Sequence, residues 1–478
     1  MAFLRDMGGN SVAEMRETPT IAAISTPAGS GGIGIVRISG TNATKIMARM
    51  FSFSSLPEGS TLCEVESHKL YLGEVTDPRK GIVLDQGLAV LMRAPHSYTA
   101  EDVVEFQCHG GPLLLNCVLE AVLGCGAVPA QPGEFSMRAF MNGRMDLTQA
   151  EAVMDLVSAK TPQALVNSAG QLTGALARRF FEIEEQILNL LAEIEVGVDF
   201  PEDEDAPAAV DVLPKLDVLL KMTEALLSGA DLGRIYCEGL RVSLIGAVNV
   251  GKSSLMNALL QEDRVIVTEI PGTTRDTVEE WLDVCGIPVL LSDTAGLREP
   301  ADMIEKMGIV RSREIAERAH LRLLVLDAAG GLFPAEKVLV QEYASKKCLL
   351  VINKCDLAVP ASLLEEIGVM VPDSRVVCVS ARSGEGLREL KEAIKTIALG
   401  GGREDSCEVL LSNLRQKNAL MRARESVLEA EKALREGLPV DVAAVDLMSA
   451  YSCLGEITGK TAGEEVIERI FASFCLGK

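Results

Sequence analysis

Gly246-Ala-Val-Asn-Val-Gly-Lys-Ser253 is the stretch that decides the fold of this chain. It follows the short apolar run Val242–Ile245 and precedes a helical pattern, so it joins a buried strand to a helix. A glycine-rich turn here could be an ordinary helix entry, but the Lys-Ser pair at its end is typical of a phosphate-binding loop. In such a loop backbone N–H groups surround the phosphates, Lys252 reaches the β- and γ-phosphates, and Ser253 ligates Mg²⁺.

Three further motifs follow later predicted strands, in the order expected of a GTP-binding (G) domain. Asp293-Thr-Ala-Gly296 offers a carboxylate for Mg²⁺ and a glycine N–H that can approach the γ-phosphate. In Asn353-Lys-Cys-Asp356 the last carboxylate can accept two hydrogen bonds from N1–H and the exocyclic amine of guanine, a pair that adenine lacks. Ser380-Ala-Arg382 would place a backbone N–H near the guanine carbonyl. Each motif alone is common loop chemistry, whereas the ordered series indicates a GTPase.

The expected contacts with GTP come from all of these loops and from one more. Lys354 is expected to lie over the base, and Asn353 to tie the base-binding loop. The segment Thr268–Asp276 is predicted to be a mobile loop whose Thr274 completes the Mg²⁺ shell with Ser253, although a polar hairpin turn is the alternative. The predicted GTP-binding set is Asn249, Val250, Gly251, Lys252, Ser253, Ser254, Thr268, Thr273, Thr274, Asp293, Thr294, Ala295, Gly296, Asn353, Lys354, Asp356, Ser380, Ala381 and Arg382.

The attacking water needs a partner that this sequence does not supply in the usual place. Leu297 stands where Ras-like proteins carry a water-orienting glutamine, and leucine cannot do that work. Glu305 is the nearest candidate for this catalytic role, with an exposed helical glutamate as the alternative. Lys252 is expected to act in catalysis as well as in binding, because charge that builds on the phosphates needs a fixed cation.

Composition excludes several classes of protein. The net charge of −22 disfavours direct binding of RNA unless a local basic patch or a second protein makes the contacts. The 12 cysteines form no CxxC pair and the four histidines show no zinc-ligand spacing, so neither a disulfide framework nor a zinc site is expected. No apolar run reaches membrane-spanning length. Reduced thiols favour a cytoplasmic protein with no membrane association.

Hydrophobic periodicity divides the 478 residues into several domains. Short apolar strands precede about Glu134, helical spacing begins at the Asp146/Gln149 capping box, and helical periodicity returns after about Ala398. Strand–helix alternation with buried-strand runs fills the interval. We predict a multidomain α/β chain: an α+β N-terminal domain, an all-α helical domain and an inserted P-loop G domain with a mostly parallel sheet. The expected boundaries are an extension at 1–17, the N-terminal domain at 18–137, the helical domain at 138–238 and 399–478, and the G domain at 239–398.

Blocks outside the G domain identify a family. From Thr18 onward the sequence resembles the bacterial tRNA-modification GTPases of the MnmE (TrmE) family. The blocks that carry this resemblance, together with the G motifs, are Gly31-Gly-Ile-Gly-Ile-Val-Arg-Ile-Ser-Gly40, Ser97-Tyr-Thr-Ala-Glu-Asp-Val103, His109-Gly-Gly-Pro112, Pro132-Gly-Glu-Phe-Ser136, Asp146-Leu-Thr-Gln-Ala-Glu-Ala152 and Cys475-Leu-Gly-Lys478.

The resemblance implies a biochemical role that periodicity and spacing do not contain. It implies a tetrahydrofolate-binding N-terminal domain, a homodimer, and a heterotetramer with the flavoprotein MnmG. The implied substrate is the wobble uridine (U34) of certain tRNAs, whose C5 receives an aminomethyl or carboxymethylaminomethyl group. The carbon would come from 5-formyltetrahydrofolate or a related reduced folate. GTP hydrolysis would be activated by potassium-dependent dimerisation of the G domains.

The resemblance also implies roles for individual residues. The folate contacts would be Arg37, Glu105, Arg144 and Lys478, since cations suit the folate glutamate and a carboxylate suits the pterin donors. Ordinary strand charges are the alternative for the first two. The potassium ligands would be Asn249, Thr268, Ile270 and Thr273, and the Mg²⁺ ligands Ser253 and Thr274. Glu305 would be the catalytic acid, and Cys475 a nucleophile, against the usual alternative of an inert cysteine.

Two other functions compete with this interpretation. The first is a GTP-switched assembly factor for ribosomes or membranes that performs no tRNA chemistry. The second is a folate-dependent one-carbon enzyme in which GTP is only structural. The G motifs do not distinguish among these functions, whereas the N-terminal blocks and Cys475 favour tRNA modification.

Overall fold

The computed structural model describes residues 18–54, 64–199, 209–263, 279–293, 317–343, 347–357, 359–370, 375–399 and 409–478. Its strands are β1 Ile21–Ile24, β2 Gly31–Ser39, β3 Phe51–Phe53, β4 Leu70–Asp77, β5 Ile82–Met92, β6 Val103–Gly110, β7 Val128–Pro129, β8 Leu240–Ile245, β9 Glu279–Val284, β10 Ile287–Asp293, β11 Leu321–Asp327, β12 Cys348–Asn353 and β13 Arg375–Cys378. Its α-helices are α1 Ala43–Met50, α2 Pro112–Gly124, α3 Glu134–Met141, α4 Leu147–Ser158, α5 Pro162–Leu172, α6 Ala175–Asp199, α7 Ala209–Ser228, α8 Ala230–Glu238, α9 Lys252–Asp263, α10 Pro334–Tyr343, α11 Ala361–Met370, α12 Leu387–Ala398, α13 Leu414–Arg435, α14 Val440–Thr458 and α15 Glu464–Phe471. The predicted extension at 1–17 lies outside the described residues.

The first of two compact units comprises the described residues up to Glu151 together with Thr458–Lys478. Its sheet has the strand order β3-β4-β5-β6-β2-β1-β7, and among these neighbours only β1 and β7 pair in parallel. Exposed and buried residues alternate along β4, as expected of a sheet with one covered face. Helices α1 and α2 cover that face, where Met47 and Val118 pack with Phe106. The predicted α+β class is confirmed for this part of the chain.

The second unit, Ala152–Ile457, contains a helical core. Helices α6, α7, α13 and α14 bury one apolar face each in a common cluster. On α6 the buried positions follow the three- and four-residue spacing of an amphipathic helix, which is why the sequence pattern predicts it. These positions are Leu176, Phe180, Ile183, Ile187, Leu190 and Ile194.

The same unit contains a six-stranded sheet in the order β13-β12-β11-β8-β10-β9. All neighbours pair in parallel except the β9–β10 hairpin, so the prediction of a mostly parallel sheet is confirmed. Strand β11 is apolar on both sides: Leu323 and Val325 join the cluster that includes α9 and α12. Leu324 and Leu326 join the cluster that includes α10 and α11. Helices on both faces explain the continuous apolar runs in these strands.

The G domain is connected to the helical core at two neighbouring points. Helix α8 enters β8 through Gly239, whose φ of 81° and ψ of 158° suit only glycine. A Cβ at this position would lie 2.5 Å from Cζ3 of Trp281. On the return path the Asn167 amide accepts a hydrogen bond from Leu410 N at 2.7 Å and donates one to Leu410 O at 3.3 Å. One α5 side chain therefore satisfies both backbone groups of the returning chain.

The C-terminal segment groups with the N-terminal sheet. The prediction that 399–478 belongs to the helical domain stays a prediction; in the structure Thr458–Lys478 forms part of the first compact unit. The ring of Phe471 lies 6.2 Å from that of Phe140 and 5.2 Å from that of Phe474, measured between centroids. The capping box that opens α4 is present as predicted, because Asp146 N donates to Gln149 Oε1 at 3.0 Å and Gln149 N to Asp146 Oδ1 at 3.0 Å.

Candidate functional site

The phosphate-binding loop is confined by a backbone carbonyl on one side and by a side-chain amide on the other. Gly246 has a φ of 153°, and a Cβ there would lie 2.3 Å from the carbonyl oxygen of Val325 in β11. Gly251 has a φ of 94°, and its Cβ would lie 2.3 Å from Asn353 Nδ2. Both positions therefore exclude a side chain, and the loop is held between the ends of β11 and β12.

Lys252 begins α9 and is only 6% exposed. Its Nζ donates hydrogen bonds to the carbonyl oxygens of Gly246 at 2.9 Å and Ala247 at 2.7 Å. The ammonium is thus enclosed by the loop that would surround the phosphates, beside the positive end of a helix. Ser253 and Ser254 follow in the first turn and are exposed.

Asn353 connects three loops and is 1% exposed. Its Nδ2 donates to the carbonyl oxygen of Val250 in the phosphate-binding loop at 2.9 Å. Its Oδ1 accepts hydrogen bonds from Lys354 N at 2.9 Å and from Ala381 N at 3.1 Å. The structure therefore brings the phosphate-binding loop, the base-binding loop and the Ser380–Arg382 segment into one cluster, as the motif order predicts.

Asp356 lies at the surface of this cluster. Its Oδ1 accepts a hydrogen bond from Ser380 Oγ at 2.7 Å, and the same hydroxyl oxygen accepts one from Ser383 N at 3.2 Å. Ser380 is fully buried, so it holds one carboxylate oxygen in a fixed direction. The exposed carboxylate can then accept hydrogen bonds from the donor edge of a guanine base.

Sequence reasoning missed Asp327. It ends β11 and lies opposite Asn353 in the register of β11 and β12. Its Oδ2 contacts Lys354 Nζ at 2.6 Å. Burial alone would raise the pKa of the Asp327 carboxyl, but hydrogen bonds from Lys354 Nζ and Ala329 N outweigh it, so that pKa lies below its ordinary value. The available signal was an aspartate at the carboxyl end of a predicted parallel strand.

Several predicted residues cannot be located in relation to this cluster. The backbone of Asp293 ends β10 and lies opposite Leu244, next to the start of the phosphate-binding loop. The residues predicted to be the second Mg²⁺ ligand, the remaining potassium ligands and the catalytic acid lie outside the described residues. These are Thr268, Ile270, Thr273, Thr274, Thr294, Ala295, Gly296 and Glu305, together with Leu297, which stands where a water-orienting glutamine was expected.

A second cluster occupies the N-terminal sheet around Arg37 and Glu105. The two residues are opposite each other in β2 and β6, and Arg37 Nε lies 2.7 Å from Glu105 Oε1. Their side chains are 19% and 13% exposed. The Arg37 guanidinium carbon lies 5.3 Å from the ring centroid of Tyr98 and 5.7 Å from that of Phe135. Arg144 contacts the residue that precedes Tyr98, since its Nε donates a hydrogen bond to the carbonyl oxygen of Ser97 at 2.6 Å.

The C-terminal residues lie against this second cluster. The carbonyl oxygen of Gly477 accepts hydrogen bonds from Arg37 Nη1 at 3.3 Å and Ser25 Oγ at 3.2 Å. Phe135 N donates to Lys478 O at 3.2 Å. Cys475 is exposed, and its carbonyl oxygen accepts from Gly133 N at 3.4 Å. The structure therefore brings together Arg37, Glu105 and the backbone of the terminal Cys-Leu-Gly-Lys motif.

Comparison with known proteins adds an independent finding. The family model described as "MnmE helical domain" matches residues 147–475, and "GTP-binding protein TrmE N-terminus" matches residues 20–144. The chain is 46% identical over 461 residues to a tRNA modification GTPase MnmE of Symbiobacterium thermophilum, covering 96% of this chain and 99% of that protein. It is 42% identical over 460 residues to the protein of that name from Alkaliphilus oremlandii, with the same coverage. An Aquifex aeolicus Era structure bound to GDP and AlF4 has 29% identity, covers 42% of this chain and 69% of its own, and gives a TM-score of 0.28.

Proposed function

The chain belongs to the MnmE family of tRNA modification GTPases, and on this premise we propose how its two clusters divide the work. It is a GTP hydrolase that acts in tRNA modification. In our proposal, a homodimer of this chain joins the flavoprotein MnmG in a heterotetramer. The complex transfers a one-carbon unit from a reduced folate to C5 of U34, giving aminomethyl or carboxymethylaminomethyl uridine. The observation that carries the proposal is the Arg37–Glu105 pair enclosed by aromatic rings and the C-terminal motif.

The G-domain cluster has the groups that GTP requires. Lys252 would contact the β- and γ-phosphates, and Asp356 would accept hydrogen bonds from guanine. Ser253 is an exposed residue at the start of α9, and its hydroxyl is an oxygen ligand of the kind that Mg²⁺ prefers. Thr274 would be the second protein ligand, and Glu305 would orient the attacking water. The Mg²⁺ ion would neutralise charge on the phosphates.

The N-terminal cluster fits a folate. The Glu105 carboxylate suits the N–H donors of the pterin, and the Arg37 guanidinium, which pairs with Glu105 at 2.7 Å, would hold that carboxylate in place. The Lys478 ammonium suits the carboxylates of the folate glutamate. Tyr98 and Phe135 offer aromatic surface to the flat ring. Arg144 would extend the cationic side. Exposed Cys475 is close in sequence to these groups, so a nucleophilic role in the modification step is part of the proposal.

Replacing Arg37 by alanine should weaken binding of 5-formyltetrahydrofolate by at least about tenfold, because the guanidinium that holds the Glu105 carboxylate in place is lost. Binding of GTP should not change, since Arg37 belongs to the other unit. Calorimetry with both ligands measures the two affinities. Arg79→Ala, which removes an exposed arginine paired with Asp77 in the same unit, is the matched control.

Nucleoside analysis of tRNA tests the same variant in cells. A strain that carries only the Arg37→Ala protein should lose the C5-modified wobble uridine while the protein keeps its GTPase activity. Normal levels of the modified nucleoside would contradict the folate assignment. If a strain without the chain also kept normal levels, the assembly-factor function would replace our proposal.

The potassium site is proposed from one described residue and the family resemblance. Asn249 is exposed in the phosphate-binding loop with a φ of 67°, and its amide oxygen is a ligand type that K⁺ accepts. Thr268, Ile270 and Thr273 would complete the site when the G domains dimerise. A bound K⁺ would supply positive charge beside the phosphates.

GTP hydrolysis should therefore be at least about tenfold faster in KCl than in NaCl at equal ionic strength. Asn249→Ala should remove this difference, whereas Val248→Ala at the neighbouring exposed position should retain it. Energy transfer between fluorophores on the two G domains of the homodimer should rise with GDP and aluminium fluoride in KCl only, as the G domains dock. Equal rates of wild-type hydrolysis in the two salts would eliminate potassium activation.

Location and partners follow from the same proposal. Among the described helices none has both the length and the apolar character that a bilayer span requires. We propose that the protein acts in the cytoplasm, where tRNA and reduced folate are available. Because the chain carries a net charge of −22, we expect MnmG to make many of the contacts with tRNA phosphates.

A further inference from the structure

We propose that Asp327 is a positioning residue for guanine nucleotides, which fixes the Lys354 ammonium so that the lysine stem forms a platform for the base. Because this proposal rests on the assignment of Asn353–Asp356 as the base-binding loop, it deepens that assignment. It assigns a function to Asp327, a carboxylate that the known G motifs do not use.

Lys354 is held at both ends of its side chain. Its backbone has a φ of 66°, an uncommon conformation for a residue with a side chain. Its Nζ donates to Asp327 Oδ2 at 2.6 Å and to the carbonyl oxygen of Asn249 at 3.0 Å. Its Cε passes 4.0 Å from the position that a Cβ of Gly251 would occupy. The methylene stem therefore crosses the surface between the base-binding loop and the phosphate-binding loop.

Asp327 is itself held in place by the strand ends. Strands β11 and β12 place it opposite Asn353, and Ala328 N donates to the Asn353 carbonyl oxygen at 2.9 Å. Asp327 Oδ1 accepts a hydrogen bond from Ala329 N at 3.0 Å, which leaves Oδ2 directed at Lys354. The carboxylate is thus oriented by β11 and its following turn, independently of any nucleotide.

The advantage of this arrangement is preorganisation. A free lysine side chain has many rotamers, and a base that packs on its stem must first order it. The Asp327 carboxylate orders the lysine stem before the nucleotide binds. The entropy lost in ordering the stem therefore does not reduce the binding free energy of the nucleotide. The two side chains are 35% and 25% exposed, so water screens the pair in the free protein and a packed base would exclude part of that water.

The competing explanation is an ordinary ion pair that stabilises only the fold. The two explanations differ in what Asp327→Asn changes, because asparagine keeps the shape and the acceptor for Ala329 N but loses the charge. If the pair only stabilises the fold, Asp327→Asn should lower the melting temperature and leave nucleotide affinity unchanged. If the pair positions Lys354, Asp327→Asn should weaken nucleotide binding because the lysine stem is no longer ordered. This effect is expected whether or not the melting temperature changes.

We therefore expect Asp327→Asn in the full-length protein to lower the affinities for GDP and for GTP by the same factor, about three- to tenfold. Equal loss is expected because the platform contacts the base and not the γ-phosphate. Stopped-flow dissociation of a fluorescent GDP should become faster by that factor. KM for GTP should rise while kcat at saturation stays unchanged. The GDP-to-IDP affinity ratio should also stay unchanged, since the lysine stem does not read the exocyclic amine.

Glu262→Gln is the matched control, because it removes a carboxylate paired with Lys391 at 2.5 Å between α9 and α12 of the same domain. It should leave nucleotide affinity and dissociation unchanged. The decisive comparison adds Lys354→Ala. If Asp327 acts through Lys354, Asp327→Asn should have no further effect on affinity in the Lys354→Ala protein.

The outcomes separate the two levels of assignment. Weakened binding in Lys354→Ala with wild-type affinity in Asp327→Asn would overturn the positioning role and keep the base-binding loop. Additive losses in the double variant would overturn it as well, since Asp327 would then act by another route. Wild-type affinity in Lys354→Ala would show that the lysine stem is not a platform for the base and would overturn the positioning role, whereas the base-binding loop is tested separately through Asp356.

Discussion

Replacing Lys252 by alanine is expected to abolish measurable GTP binding, with a loss of affinity of at least about 100-fold. The ammonium is the charged group at the centre of the phosphate-binding loop, and hydrogen bonds to charged partners are worth about 1.5–3 kcal/mol each. In the free protein it is satisfied by the carbonyl oxygens of Gly246 and Ala247, so alanine also removes a bridge within the loop. The loss should apply to GDP and GTP alike.

Calorimetry with GTP and GDP measures this effect directly. Lys337→Ala is the matched control, because Lys337 pairs with Glu366 between α10 and α11 and belongs to the same domain. Both variants should retain the melting profile of a folded G domain. Wild-type GTP affinity in the Lys252→Ala protein would show that Gly246–Ser253 does not bind phosphates.

Replacing Asp356 by asparagine is expected to reverse the choice of base. The carboxylate offers two acceptors to N1–H and the amine of guanine, whereas asparagine offers one acceptor and one donor. Guanine then loses a charge-assisted hydrogen bond and faces a mismatched donor, so GTP affinity should fall by about 100-fold or more. Xanthine carries a carbonyl in place of the amine, and the asparagine donor matches it.

Competition of GTP and XTP against a fluorescent nucleotide measures this switch. Asp231→Asn, at a helical-core ion pair with Lys417, is the matched control and should keep the preference for GTP. Ser380→Ala tests the orientation of Asp356, because its hydroxyl holds Oδ1 at 2.7 Å. The Ser380→Ala variant should have a lower affinity for GTP and no higher affinity for XTP. Unchanged GTP preference in Asp356→Asn would contradict the base-reading role.

Two kinds of motif were readable from the sequence for the same physical reason. The phosphate-binding loop and the Asp146/Gln149 capping box depend on neighbouring residues and on the elements that flank them. Parallel strands buried on both faces leave uninterrupted apolar runs, so β8 and β11 were also predictable. In each case the residues that form the pattern are close together in the sequence, within a single helix, strand or loop and its flanks.

Asp327 and the C-terminal motif show where this kind of signal ends. In the sequence, nothing distinguishes Asp327 from other aspartates that follow a strand. Only the register of β11 with β12 places it beside Lys354. Arg37 and Gly477 are 440 positions apart, and no local pattern predicts that the guanidinium donates to that carbonyl oxygen. The grouping of Thr458–Lys478 with the N-terminal sheet depends on the same packing.

The sequence by itself determined the buried strands of the mostly parallel sheet, the amphipathic helices of the helical core and the Asp146/Gln149 capping box, because periodicity and motif spacing are local properties of the chain. It did not indicate α1 and α2, which lie in the stretch expected to form strands. Only the tertiary structure decided which side chains meet. It placed Asn353 against Val250 and Ala381, Lys354 against Asp327, and the terminal Gly477 against Arg37. Such contacts depend on strand register and on the packing of distant segments, since hydrogen bonds form only within about 3 Å and with aligned groups.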